Sequence, residues 1–144
     1  MLKIRNFNLD VPIIQGGMGV GVSLGNLAGA VAANGGMGVV SSVNAGFREQ
    51  DFDQNPVAAN LRALDNEIRS ALLKADGKGM VGVNIMVAVN HYEETVKAAI
   101  QAGVNAIISG AGLPVDLPKY AGDAEVALAP IVSSGYVVET VMYG

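Results

Sequence analysis

Pro12-Ile13-Ile14-Gln15-Gly16-Gly17-Met18-Gly19-Val20-Gly21 reads as a short apolar strand running straight into a glycine-rich turn, with Ser23 placed to start a helix. That order sets bare backbone N–H groups and a helix N-terminus at the carboxyl end of a strand. α/β proteins bind phosphate-bearing cofactors at such places. Glycine lets a ligand approach the main chain and tolerates positive φ. One such turn is a weak signal, and its weight depends on what the rest of the chain repeats.

The repeat is there. Leu24, Leu27, Ala28, Val31 and Ala32 fall at helical spacing behind Ser23, read as the N-cap, and Asn34-Gly35-Gly36 ends that helix. Met37 to Val40 is a second buried strand, ending at Ser41-Ser42. After a polar loop, Asn55-Pro56 signals a helix start. Val57, Leu61, Leu64, Ile68 and Leu72 form its apolar stripe, and Asp76-Gly77-Lys78-Gly79 breaks it. Met80 to Val89 is apolar apart from Asn84, as in an interior parallel strand. Asn90 with Glu93 reads as a capping box before Tyr92, Val96, Ala99 and Ile100, and Gly103 closes that helix. Ala106 to Ser109 and Val126 to Val132 are the fourth and fifth strands, with proline-punctuated chain between them.

Alternating strands and helices imply parallel strands joined by right-handed crossovers. Two architectures fit: a complete five-stranded doubly wound sheet, or the first five strands of an eight-stranded (β/α) barrel. Both put a ligand at the carboxyl ends of the strands. Those ends are small and polar: Gln15-Gly16-Gly17, Ser41-Ser42, Asn84, Ser109-Gly110-Ala111-Gly112 and Ser133-Ser134.

Composition narrows the field. In 144 residues, 51% are hydrophobic, 15% charged and 19 are glycine, so the chain is globular and its strands are expected to be covered on both faces. A net charge of −4 without a Lys/Arg cluster argues against nucleic acid as a partner. The absence of cysteine excludes disulfides, thiolate metal sites and a cysteine nucleophile. No apolar run approaches a membrane span or a signal peptide, so the expectation is a soluble cytoplasmic protein without membrane partners.

Other chemistries fail on spacing. A dinucleotide fingerprint needs glycine at 22 or 24, where Val22 and Leu24 stand, and no acidic residue closes the second strand. A Walker A lysine is missing. Glu93-Glu94 suit a helix's first turn, and Asp51 and Asp53 a solvated loop. His91, the single histidine, lies in a helix-entry loop and reads as a partly solvated surface residue; no triad can be built on it.

Three segments taken together, Pro12–Gly19, Gly82-Val83-Asn84-Ile85-Met86 and Ser109-Gly110-Ala111-Gly112-Leu113-Pro114, resemble the nitronate monooxygenase (2-nitropropane dioxygenase) family, which also contains FMN-dependent enoyl-acyl-carrier-protein reductases. The resemblance covers residues 1 to about 134. It implies an α/β fold of the (β/α)8 TIM-barrel type, of which this chain would hold about the first five strands, as one FMN-binding domain over 1–134. It also implies FMN as cofactor, with Gly17, Met18 and Gly19 along the flavin, Asn84 hydrogen-bonding its edge, and Ser109, Gly110, Ser133 and Ser134 lining the same pocket.

The chain departs from that pattern at its end. The family's catalytic histidine, in a Gly-Gly-His segment after the sixth strand, and its phosphate-binding loops after the seventh and eighth have no counterpart here. Residues 135–144 replace an alanine-rich helix with strand-favouring Val-Val and Thr-Val pairs, a divergent or truncated tail. The expected function is therefore an FMN-dependent oxidoreductase acting on a small nitronate or nitroalkane with O2, inactive alone. The alternatives are an enoyl-acyl-carrier-protein reductase fragment and a non-catalytic flavodoxin-like or half-barrel interaction module. Free edges on the first and fifth strands would favour a homo-oligomer.

Overall fold

The structure, a computed structural model, describes residues 1–135. Of the tail expected at 135–144, only Gly135 falls within it.

The chain opens with a hairpin that sequence patterning did not reveal: β1 (Leu2–Ile4) pairs antiparallel with β2 (Phe7–Leu9) around the turn Arg5-Asn6. Strands of three residues are too short to show a period. Arg5, at φ 54, reaches across the fold and donates to the carbonyls of Ala124 (3.2 Å) and Val126 (2.5 Å).

Then come α1 (Gly25–Ala33), β3 (Met37–Ser41), α2 (Pro56–Ala75), β4 (Met80–Met86), α3 (Tyr92–Gln101), β5 (Ala106–Gly110), α4 (Leu117–Ala121) and β6 (Ala127–Pro130). The four longer-range strands form a parallel sheet in the order β3-β4-β5-β6. Sheet order follows chain order with no reversal, so the sheet is singly wound. A doubly wound sheet reverses at a switch point and carries helices on both faces. Here all four helices pack on one face, over Val40, Val81, Val83, Ile85 and Ile107.

We call that side the outer face. The register assigns the inner face to Met37, Val39 and Ser41 of β3, then Met80, Gly82, Asn84 and Met86 of β4. Ala106, Ile108 and Gly110 of β5 and Ala127 and Ala129 of β6 complete it. Coverage of both faces was expected, but among the described residues the inner face is fully covered only along β3 and at its amino end. There the hairpin's fully buried Leu9 packs on Met37, Met80, Ala106 and Ala127, the first residue or so of each strand. Toward the carboxyl end Val39, Ser41 and Gly110 are buried, whereas Asn84, Met86 and Ile108 are half-buried and Ala129 is exposed.

The expected first strand, Pro12–Gln15, contributes a single parallel bridge, Ile14 to Met37. Met37 N–H donates to Ile13 O and Gln15 N–H to Met37 O, both at 2.9 Å. The ladder then stops, because Val39 N–H is taken by the Gln15 side-chain oxygen at 3.0 Å instead of a backbone carbonyl. The described sheet thus has four strands plus one bridge where five strands were expected. β4 and β6 also end earlier than their apolar runs, at Met86 and Pro130.

Two helix starts differ from expectation as well. Ser23 is not the N-cap of α1; Leu24 is, and the first-turn N–H of Gly25 is satisfied by Glu67 of α2 at 2.7 Å. Asn55 holds the N-cap position of α2 without a side-chain bond. His91, not Asn90, precedes α3, in a left-handed conformation (φ 63). At α1 and α3 a tertiary partner or backbone geometry displaces the expected cap, whereas Asn55 starts α2 where it was expected. No helix among the described residues is long and apolar enough to cross a membrane.

Candidate functional site

The glycine turn lies across the carboxyl ends of β3 and β4. A Cβ on Gly17 would stand 2.7 Å from Asn84 Cβ and 3.2 Å from Val39 Cγ1. One on Gly19 would stand 3.2 Å from both Ser41 Oγ and Val43 Cβ. Gly21, at φ +75, faces the Phe47 ring at 2.6 Å in the same sense. The main chain therefore sits directly on the inner face, which only glycine permits at Gly17 and Gly21.

Two residues hold the turn in that position, and sequence reasoning gave neither this task. Ser23 is fully buried, and its single hydroxyl proton goes to Gly16 O (3.2 Å). The same oxygen accepts from Met18 N–H (2.9 Å) and from Gln15 Nε2 (3.0 Å). Gln15 also donates to Gly16 O, while its oxygen closes the β3 ladder. Ser23 O accepts from Ser41 N–H at 2.8 Å, fixing the turn to the strand end. The legible signal was a lone amide before a double glycine with a serine at the far end.

Consequently the N–H groups of Gly17 and Gly19 donate to no described residue. Asn84 lies on the inner face, partly exposed beneath Gly17, and no described residue hydrogen-bonds its carboxamide. Met18 is 61% exposed, its side chain projecting from the turn. A flat polar ligand fits this arrangement: backbone donors on one side, an amide beneath, and no side chain at Gly17 to hold it off. No Lys or Arg stands among these residues, so they suit a ring and not a phosphate.

The remaining expected residues divide. Gly110 belongs to the inner face, in register with Met86, but the Ile131 side chain lies over it, 2.9 Å from where a Cβ would be. Ser109 is placed differently from the expected lining of a common pocket: it faces the helices, on the opposite side of the sheet from Asn84. The alternation of a strand makes neighbours 109 and 110 point apart. Its hydroxyl donates to Ile85 O (2.9 Å), so the 2.7 Å contact with Tyr92 must be donated by the tyrosine. Burial raises the Tyr92 hydroxyl above the ordinary tyrosine value, against a smaller lowering from Ser109. Ser133 and Ser134 are exposed, beyond the last ladder bond from Ile131 N–H to Ser109 O.

A family model described as Nitronate monooxygenase matches residues 2–142. Two solved structures from Thermotoga maritima share the fold. The M276A mutant of FabK aligns with TM-score 0.72 and 23% identity, over 98% of this chain and 43% of that chain. FabK itself aligns with TM-score 0.65 and 23% identity, over 98% and 41%. The chain thus spans less than half the length of these relatives. No curated protein matches it.

Proposed function

Because the chain belongs to the nitronate monooxygenase family, we propose that it supplies the ring-binding wall of an FMN-dependent oxidoreductase whose strands belong to a (β/α)8 barrel. One observation carries the reading: the main chain of Gly17 rests on Asn84, leaving its own N–H and the Asn84 amide without partners at the open carboxyl end of the sheet. Buried or half-buried polar groups without partners are costly, and a ligand that pairs with them recovers that cost. Gly17, Met18 and Gly19 would run along the isoalloxazine ring, Asn84 would bond its edge, and Gly110 would border it. Ser109 acts from behind the sheet by fixing β5, and Ser133 and Ser134 stay at the rim.

Bound FMN would supply the electron-accepting chemistry, while these residues orient the ring and keep water from one face. The preferred substrate class is a nitronate or nitroalkane oxidised with O2. The alternative within the same family is reduction of an enoyl thioester. The FabK likeness, at 23% identity, is one of fold and favours neither.

FMN titrated into the chain and followed by visible absorption tests the proposal. A saturable, perturbed flavin spectrum is expected, weakened by Asn84→Leu. A spectrum identical to free FMN at every protein concentration overturns it. Oxygen uptake with a nitronate, against NADH oxidation with an enoyl thioester, then separates the two substrate classes.

A further inference from the structure

The glycine turn has a far end. From Gly17, seated on Asn84, it passes Gly19, set against Ser41 and Val43, and reaches Gly21, whose Cβ would stand 2.6 Å from Phe47 Cζ. Phe47 and Arg48 belong to the loop between β3 and α2, and the Arg48 guanidinium lies over the Phe47 ring, 4.8 Å from its centroid. We propose that Arg48 is a specificity residue of this site. It binds a small two-oxygen anion, of which a nitronate is one, and so favours it over an uncharged nitroalkane or enoyl thioester. The inference rests on the flavin reading above.

The loop holds Arg48 in place and leaves its charge unspent. One end of the loop runs beneath α2: a Cβ on Gly46 would stand 2.5 Å from Ala59 O, and Gly46 N–H donates to Asn60 Oδ1 at 2.9 Å. The other end is tied by Arg62 of α2, which pairs with Glu49 at 2.9 Å and Asp51 at 2.5 Å. Between these ties, Phe47 N–H donates to Asn44 O (3.1 Å) and Glu49 N–H to Gly46 O (2.8 Å). Both acids that follow Arg48 are thus committed to Arg62. Among the described residues no carboxylate pairs with Arg48 and no acceptor takes its N–H groups. The other arginines are all engaged: Arg5 with the carbonyls of Ala124 and Val126, Arg62 with its two acids, and Arg69 with Asp65 and Gln101 O.

The chemistry of the guanidinium selects its ligand. A nitronate spreads its charge over the two oxygens of one planar group, and the guanidinium fork offers such a group two parallel N–H donors. The Phe47 ring orders the fork and takes water from one of its faces, which sets this cation apart from a freely solvated one. A nitroalkane carries no net charge, and a thioester presents one uncharged carbonyl oxygen. In a chain of net charge −4, a local cation is what draws an anion to the turn.

Isobutyrate is the probe, because it shares the size and charge of propane-2-nitronate and does not reduce a flavin. Isobutyramide is its uncharged counterpart. FMN affinity is measured first and should be the same in the parent chain, Arg48→Gln and Arg48→Lys. Each probe is then titrated into the FMN-loaded full chain and followed by the shift in flavin absorption. Saturable isobutyrate binding is expected, with isobutyramide at least tenfold weaker. Arg48→Gln should weaken isobutyrate at least tenfold and remove the preference for acid over amide. Arg48→Lys, which keeps the charge and loses the fork, should fall between. Full isobutyrate affinity in Arg48→Gln, or equal binding of acid and amide by the parent, would overturn the proposal and leave the flavin reading standing. A loss of FMN affinity in Arg48→Gln that riboflavin does not share would give the guanidinium to the cofactor's phosphate, and would overturn it too. FMN that binds none of the three chains would sink the flavin reading, and this inference with it.

Discussion

Gly16 and Gly17 are adjacent in one turn, yet the structure treats them oppositely. A Cβ on Gly16 meets nothing within 4 Å, whereas one on Gly17 stands 2.7 Å from Asn84 Cβ. A Cβ cannot rotate out of the way, so Gly17→Ala must lift the turn off β4. We expect FMN affinity to fall at least tenfold in Gly17→Ala and to stay within twofold in Gly16→Ala, measured by the same absorption titration. Equal losses in both would mean that the turn's flexibility, not its seating on Asn84, matters. The pair Tyr92 and Ser109 gives a second residue-scale prediction. Removing the Tyr92 hydroxyl leaves Ser109 bonded to Ile85 O, so Tyr92→Phe should cost only about 0.5–1 kcal/mol at neutral pH in urea unfolding. Because burial raises the Tyr92 value in the folded state, its contribution is fully present below the unfolded tyrosine value of about 10 and is lost as pH rises through the folded one. Stability of the parent chain should therefore decline above that pH more steeply than that of Tyr92→Phe. At this scale the sequence disclosed which residues differ from their surroundings, Asn84 above all. It did not disclose facing: Ser109 and Gly110 look alike as strand-end residues, and only the register separates them.

Among the elements, the packing of α1 shows why large apolar residues misled. The expected stripe ran through Leu24, Leu27, Ala28, Val31 and Ala32; Leu24, Ala28 and Ala32 are buried, but Gly25 and Gly29 share the buried side of α1, while Val31 is half-buried and Leu27 is 40% exposed. α1 lies so close to its neighbours that only small residues fit. A Cβ on Gly25 would come 2.6 Å from Glu67 O, and one on Gly29 would come 2.8 Å from Lys74 Cβ. α2 answers in kind, with Ala59, Ala63, Ala71 and Ala75 buried alongside Leu64 and Ile68. From α1 to β6 helix and strand identities and their order were therefore readable from periodicity and glycine punctuation, while the contact faces were set by clearance. Gly38 is the tightest point: its Cβ would lie 1.8 Å from Ala28 O, main chain against main chain. Gly38→Ala should destabilise the fold by on the order of 3 kcal/mol, because β3 and α1 must separate. Urea unfolding followed by circular dichroism measures it; a midpoint within error of the parent would show that α1 can shift at little cost.

At the level of the whole molecule, a singly wound sheet with helices on one side leaves its other side to be covered. The hairpin covers the amino end, and among the described residues Ile131, whose side chain lies over Gly110, is 58% exposed and Ile14, in register with Met37, is 49% exposed. Exposed apolar groups on this scale favour association. The sheet edges are poor routes to it. Pro12 stands at the Ile14 edge and Pro130 ends β6, and a proline cannot donate to an added ladder. Association of two copies should therefore proceed through the open inner face and not, as the strand pattern led us to expect, edge to edge. Sedimentation velocity over a hundredfold concentration range should show a mass that rises with concentration. Ile131→Asp, which places a charge where apolar contact is needed, should hold the chain monomeric. A matching charge on the outer surface, such as Leu73→Asp at an 84% exposed position, should leave the association unchanged. If Leu73→Asp were as effective as Ile131→Asp, net charge and not the inner face would govern the assembly. If neither altered it, the contact would lie at the edges after all, and the prolines would be tolerated there.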